Sequence, residues 1–375
     1  MSVDFQTIVI GGGIVGLASA HAATALGDVL LVERHARLGQ ESTSRNSEVV
    51  HAGLYYPPGS SKARLCCEGR HRLKRFCAEA GVPYLPLGKL VVAGDAVEAG
   101  ALDALAARAR TNGVDDVTLL TAQEAQALEP ALACTAALLS PSTAVVDSTG
   151  VMIALEACFI DQGGTVATGT NAVAIERHPE YFRLFTVSHA CETSVTCRTI
   201  ILAGGLAASQ LARRVTPPLQ SVPETYFAKG HYYALSGRPP FSRLVYPMPS
   251  IAGLGIHFTL STAGEAKFGP DVAWCETPSL SFDDDGTRRH AFAEAIRRYW
   301  PDVKEDRLTP AYVGIRPKCT RAGAEPQDFA IHGPETHGCQ NLIALYGIES
   351  PGLTSALAIG ADIVARLTEI TPPKR

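Results

Sequence analysis

The chain has 375 residues, of which 46% are hydrophobic, and a formal net charge of −4 from nearly balanced acids and bases. That length exceeds the size at which a single core stops growing, so two domains are expected. The charge balance, with no long basic run and no low-complexity tract, argues against a nucleic-acid partner.

The ten cysteines form no CxxC pair and no zinc spacing; Cys66 and Cys67 are simply adjacent, and no metal constellation is read. Residues 7 to 26 are mostly small and apolar. They lack a basic leader, with Asp4 early and His21 within, so they do not read as a secretion signal. Reduced, buried thiols and a cytoplasmic location are therefore expected. No segment reaches the apolar length of a membrane span, which leaves only peripheral membrane contact open.

The elements run as follows. Thr7-Ile8-Val9-Ile10 is an apolar strand leading into Gly11-Gly12-Gly13-Ile14-Val15-Gly16, a helix follows, and Val29-Leu30-Leu31-Val32 ends at Glu33. Helices are expected over Leu73 to Ala80, Ala99 to Thr111, Gly150 to Gln162, Arg288 to Tyr299 and Leu353 to Thr368. Short strands are expected at Thr165-Val166 and Ala172 to Ile175, with a hairpin or meander over Tyr181 to Thr199. From Ala228 to Phe268, strand-like pieces between Gly and Pro breaks predict an antiparallel sheet. Strands buried on both faces read as continuous apolar runs, and Thr199 to Leu202 and Leu342 to Leu345 fit that description as well as the first two.

If these four runs share one sheet, the first domain is discontinuous. The expected fold class is α/β: a Rossmann-like domain over residues 1–85, 145–215 and 325–375, and an α+β domain with an antiparallel sheet over 86–144 and 216–324.

The strand, glycine turn, helix, strand and acid form the unit that binds the ADP half of a dinucleotide. Gly11 allows the tight turn, Gly13 lets backbone approach the pyrophosphate, and Gly16 lets the helix pack on the sheet. The helix opens at Ile14 and Val15 with free N–H groups and its positive dipole end toward the phosphates. Glu33 accepts from ribose hydroxyls and repels a 2′-phosphate, which argues against NADP. The alternative is a glycine-rich turn that binds nothing, and it leaves Glu33 unexplained.

Glu41-Ser42-Thr43-Ser44-Arg45-Asn46-Ser47 follows, then His51-Ala52-Gly53-Leu54-Tyr55-Tyr56. Toward the other end come Gly314-Ile315-Arg316-Pro317 and Gly347-Ile348-Glu349-Ser350-Pro351-Gly352-Leu353-Thr354. Together these resemble the FAD-dependent amine and hydroxy-acid oxidoreductases of the D-amino-acid oxidase and glycerol-3-phosphate dehydrogenase type, over essentially the whole chain. Within that superfamily, Asn46 to Ala93 looks most like L-2-hydroxyglutarate dehydrogenase/oxidase, with Asn46-Ser47, His51-Ala52-Gly53, Tyr55-Tyr56, Lys62 to Cys66 and Gly88-Lys89-Leu90-Val91-Val92-Ala93. Close relatives tend to have glycine where this chain has Glu48, and an acidic or amide residue where it has His231.

The resemblance implies FAD as cofactor. It places Arg34 near the adenosine, and Ser42, Thr43, Ser44, Asn46 and Ser47 along the pyrophosphate and flavin. Val173 would bond adenine through its backbone, and Ala203-Gly204-Gly205 would close over the ADP portion. Ser350, Pro351, Gly352, Leu353 and Thr354 would serve the flavin head through unpaired helix N–H groups. A plain polar loop at 42–47 and a core strand at Val173 are the alternatives.

The expected reaction is oxidation of a 2-hydroxy acid, L-2-hydroxyglutarate favoured, to the 2-keto acid by hydride transfer to flavin N5, at a site where the two domains meet. A small-molecule carboxylate is the substrate, and the acceptor is oxygen, a quinone or an electron-transfer protein. Arg316 would clamp the substrate carboxylate and contact the cofactor, its alternative being a structural salt bridge. His51 is read as the proton acceptor, as a covalent or packing partner of the flavin, or as a buried hydrogen-bonded histidine. His257 is the other base or substrate ligand, or a core histidine. Lys229, His231 and Tyr246 would complete a pocket for a second acidic group, or form a solvated strand edge. Lys318 would hold a second carboxylate, and Tyr56 with Tyr55 would wall the pocket or simply pack. The rival readings are an amino-acid or N-methyl-amino-acid oxidase, a non-catalytic flavin-binding module, and an NAD-dependent dehydrogenase.

Overall fold

The computed structural model describes residues 2–248, 255–284, 286–325 and 327–370. The chain divides into two compact units: 1–44, 148–227 and 316–375 form the first, and 45–147 with 228–315 the second. Residues 45–85 thus belong with the second unit, where local sequence pattern had placed them in the first. Residues 216–227 and 316–324 belong with the first. The discontinuity itself follows from the sheet of the first unit, whose parallel strands come from three separate stretches of chain.

In the first unit, β1 (Phe5–Ile10) lies between β2 (Val29–Val32) and the strand Cys191–Leu202, parallel to both, with Ile10 opposite Val32 and Leu202. Thr165–Ala167 continues the parallel set beyond β2, and Leu342–Tyr346 pairs parallel with Cys191–Leu202. The outer half of Cys191–Leu202 runs on into an antiparallel meander with Phe182–Ser188 and Thr170–Arg177. β2 is buried throughout, as expected for a strand covered on both faces. The glycine turn leads into α1 (Ile14–Ala23), which packs against the C-terminal helix Gly352–Ile370. The helices cross closely because both are small at the contact: a Cβ on Gly360 would stand 2.5 Å from the Ala18 carbonyl oxygen.

The second unit is built on a sheet whose order runs Ala273–Cys275, Tyr226–Leu235, Ala266–Phe268, Phe258–Leu260, Leu244–Pro247, Lys89–Ala93, Ala136–Ser140, Thr118–Thr121. From Tyr226–Leu235 onward the pairings in this order are antiparallel, except that Leu244–Pro247 runs parallel to Lys89–Ala93. Lys89–Ala93 is buried on both faces. Leu90 and Val92 join an aromatic core with Phe258, Phe268 and Phe292, while Val91 and Ala93 pack under Leu102 and Ala106 of helix Ala96–Thr111. By the two-residue alternation of a strand, Lys89 belongs to the face of Val91 and Ala93.

The helices begin earlier than periodicity alone predicts, because capping residues set their starts. Ser60 accepts from the Ala63 N–H and opens Ser61–Ala80, and Asp95 accepts from Val97 and Glu98 and opens Ala96–Thr111. The strand expected from Gly255 begins only at Phe258, and residues 249–254 of that stretch lie outside the described residues.

Candidate active site

The first unit presents a cradle without side chains. A Cβ on Gly11 would lie 2.3 Å from the Ala203 carbonyl oxygen, and Gly11 has φ +112°, in the region only glycine occupies freely. A Cβ on Gly16 would stand 1.8 Å from the carbonyl oxygen of Gly11. The cap of α1 is Gly13, which supplies no side-chain cap, and the first turn carries no acid. The N–H of Ile14 donates to Thr43 Oγ1 at 3.0 Å, so Thr43 stands at the helix mouth, in the turn Ser42–Ser44.

Glu33 is buried. Its carboxylate accepts the Gly12 N–H at 2.7 Å and the His35 N–H at 2.8 Å, which fixes an acid at the end of β2 beside the turn. Arg34 pairs with Glu41. Val173 is the extra residue of a bulge: Ala172 faces Thr186 and Ala174 faces Phe185, so Val173 is left out of that ladder. The Ala203 N–H donates to the Ile10 carbonyl at 2.8 Å, holding Ala203-Gly204-Gly205 beside the end of β1. Ser350 and Pro351 precede the helix Gly352–Ile370, and Thr354 is fully buried in its first turn.

These features fit a dinucleotide: a glycine cradle that any Cβ would fill, a helix start whose own cap residue is a glycine, a seated acid and a bulged strand. Arg316 is half-buried on the strand Leu308–Lys318. Lys318 binds Glu349 at 2.6 Å, so its charge already has a carboxylate partner in the first unit.

The second unit gathers His51, Tyr246 and His257 with three further residues: Tyr55, Cys66 and Lys89. The Tyr246 and His257 rings stack at 3.5 Å and 9°. Lys89 Nζ lies 4.7 Å from the Tyr55 ring centroid and 4.8 Å from that of Tyr246. The Cys66 thiol donates to the His51 carbonyl oxygen at 3.4 Å. His51 Nδ1 is enclosed, and burial, with the charge of Lys89 second, pushes this imidazole down to about 3. Burial draws Lys89 down to about 7 against the pull of Cys66, and raises the Cys66 thiol and the Tyr55 and Tyr246 phenols. At neutral pH the cluster therefore combines a neutral imidazole with a buried amine and no anion.

Asn46 and Ser47 sit nearby in sequence. Asn46 Oδ1 accepts the Glu48 N–H at 2.6 Å, and its carbonyl accepts from the Tyr312 hydroxyl at 2.6 Å. Glu48 has φ +61° and pairs with Lys267 at 3.6 Å; its position is one glycine occupies without strain. The Tyr56 carbonyl accepts from Asn112 at 2.9 Å. Lys229 and His231 have acidic partners, Asp283 at 2.7 Å and Asp271 at 2.9 Å. Those acids, with Asp284 and Arg288, line a cavity of about 600 Å³ whose net charge is negative and ill-suited to a carboxylate.

Lys89 lies in the stretch Gly88 to Ala93 that carries part of the family resemblance, but the motif gives it no role. The signal in the sequence is a lone lysine at the head of Leu90-Val91-Val92-Ala93, a run too apolar for a solvated strand.

The family model for FAD-dependent oxidoreductases (DAO) matches residues 6–367. The chain belongs to this family of FAD-dependent oxidoreductases. It is 38% identical to the mitochondrial L-2-hydroxyglutarate dehydrogenase of Arabidopsis thaliana, over 96% of this chain and 82% of that protein. It is 29% identical to the L-2-hydroxyglutarate dehydrogenase of Indibacter alkaliphilus, over 96% of this chain and 98% of that one. Among solved structures, the fold is similar to that of L-alpha-glycerophosphate oxidase from Mycoplasma pneumoniae with FAD bound, with a TM-score of 0.87, 23% identity and coverage of 97% and 94% of the two chains.

Proposed function

We propose that the protein oxidises L-2-hydroxyglutarate to 2-oxoglutarate with FAD. The observation that carries this reading is the likeness to L-2-hydroxyglutarate dehydrogenases over 96% of the chain. When bound, FAD supplies the acceptor for the hydride leaving the carbon that bears the hydroxyl. Gly11, Gly13 and Gly16 would admit the pyrophosphate to the N–H groups opening α1, and Glu33 would meet the ribose. Thr43, Val173 and Ala203 to Gly205 would line the ADP portion, and the turn at Ser350 to Thr354 would serve the flavin head.

The chain's own residues supply the rest. His51 would take the substrate hydroxyl proton on an imidazole nitrogen; burial and the Lys89 charge hold it down to about 3, so the negative charge of a bound substrate has to raise its basicity for that transfer. Arg316 would hold the 1-carboxylate in a two-pronged grip. Tyr246 braces His257 from its face, which fixes the plane of that ring.

Among the described residues no helix is long and apolar enough to cross a membrane. All ten cysteines are free; four are buried, five half-buried, and Cys191 is exposed.

The test is an anaerobic screen of 2-hydroxy and 2-amino acids against the purified holoenzyme. L-2-Hydroxyglutarate should bleach the yellow flavin band and yield 2-oxoglutarate in equal amount. Bleaching by amino acids instead, with ammonia released, would replace this reading with amine oxidation. Readmitting oxygen, a quinone or an electron-transfer protein then identifies the acceptor.

A further inference from the structure

We propose that Lys89 is the residue that receives the distal carboxylate of a dicarboxylic substrate, and so sets the preference for a five-carbon diacid over a monoacid. The inference rests on the proposed oxidation of a 2-hydroxy diacid and deepens it.

Lys89 is 1% exposed and heads a strand that is buried along its whole length. A lysine in that position costs stability unless an anion meets it. Among the described residues none does: its recorded contacts are the faces of Tyr55 and Tyr246. Two aromatic faces hold an ammonium by its charge while leaving its N–H bonds open for an acceptor. The groups around it are His51, Cys66, Tyr55 and Tyr246, and burial keeps each of them uncharged at neutral pH. Tyr55 adds an enclosed hydroxyl that has no hydrogen-bond partner among the described residues. An amine that titrates at about 7 with no counter-ion beside it, and an O–H without an acceptor, make a receptor for one carboxylate, whose charge would draw the amine into its ammonium form.

The other cations considered for this task already hold carboxylates: Lys229 with Asp283, His231 with Asp271, and Lys318 with Glu349. Lys89 also shares its cluster with His51 and His257, so an anion bound there would lie beside the imidazoles.

The experiment compares holoenzymes of the wild type, Lys89→Met and Lys89→Arg. Glutarate, a diacid that cannot be oxidised at C2, and valerate, its monoacid counterpart, are titrated by the perturbation of the flavin spectrum. The wild type should prefer glutarate. Lys89→Met should weaken glutarate by about 10- to 100-fold, the loss of one charge-assisted contact, and leave valerate nearly as before. Lys89→Arg should retain part of the preference.

In turnover of L-2-hydroxyglutarate by Lys89→Met, KM should rise more than kcat falls. Unliganded Lys89→Met should melt at or above the wild-type temperature, because an unneutralised buried charge has been replaced by an apolar chain of similar length. A structural lysine would give the opposite shift.

The inference fails if glutarate and valerate weaken equally, or if glutarate is unaffected. It fails too if kcat collapses on mono- and diacids alike, which would mark a proton acceptor, or if Lys89→Met does not fold. Should the wild type leave L-2-hydroxyglutarate unoxidised, the proposed reaction falls, and the glutarate and valerate titrations still decide the role of Lys89. A wild type that binds neither acid overturns it.

Discussion

Tyr246 and His257 lie face to face, their ring centroids 3.5 Å apart and their planes within 9°, both nearly inaccessible to water. The contact joins the strand Leu244–Pro247 to the residue just before the strand Phe258–Leu260 and fixes the plane of the histidine ring. Tyr246→Phe keeps both the ring and the stack, and should cost under about 1 kcal/mol. Tyr246→Leu loses the aromatic contact and leaves a gap, and should cost about 3 kcal/mol. Urea unfolding of the holoprotein at fixed concentration separates the two. Equal midpoints would show that the stack contributes nothing beyond volume.

Gly16→Ala should remove flavin binding. The added Cβ would meet the Gly11 carbonyl at 1.8 Å, and backbone there has no room to retreat. The purified variant should be colourless, or should fail to fold. Gly100→Ala is the control: it sits within the helix Ala96–Thr111, with nothing within 4 Å of the added methyl. There the same substitution should raise stability by about 1 kcal/mol. A yellow Gly16→Ala protein would remove the cradle assignment.

Lys89 and His51 give stability opposite limits on the pH axis from those of surface groups. The folded state lowers Lys89 to about 7, so between that value and the unfolded lysine range near 10.4 the unfolded chain binds more protons. The destabilisation due to Lys89 is therefore complete below about pH 7 and fades as pH rises toward the unfolded value. Wild type should gain stability relative to Lys89→Met across that interval. His51, lowered to about 3, acts likewise at lower pH: stability is lost as pH falls from the unfolded histidine range near 6.5 toward the folded value. Unfolding midpoints measured from pH 4 to 10 check both. A wild-type-minus-Lys89→Met difference that does not vary above pH 7 would refute the assignment for Lys89.

Glu48 occupies a left-handed conformation, φ +61°, which strains any residue with a Cβ. Its pair with Lys267 at 3.6 Å offsets part of that strain. Glu48→Gly loses the pair and relieves the backbone, whereas Glu48→Ala loses the pair and keeps the strain. Glu48→Gly should be the more stable of the two by about 1 kcal/mol. The comparison of their unfolding free energies is the test, and equal values would mean that the turn relaxes.

The core of the dinucleotide cradle was legible because its strand, glycine turn, helix, second strand and acid follow one another between Thr7 and Glu33. Glycine at 11, 13 and 16 and an acid at the end of the next strand have one joint explanation, although distant chain at Ala167 and Ala203 closes around them in the fold. The helices were legible in type and late in start, because Ser60 and Asp95 act through capping bonds that leave no periodic trace. The Gly-rich position at Glu48 could be noticed as a departure, but its backbone angle explains it only in the folded chain.

Sequence alone determined that the protein folds around a dinucleotide and belongs among flavin-dependent oxidoreductases, since short-range pattern encodes strand, turn, helix and acid in order. Only the tertiary structure decided which polar groups stand together. Residues 51, 55, 66, 89, 246 and 257 meet through parallel pairing of Leu244–Pro247 with Lys89–Ala93 and through packing under that sheet face. Neighbourhood of that kind sets burial and charge, and hence the state of His51 and Lys89, because desolvation and Coulomb terms depend on distance in space rather than on spacing along the chain.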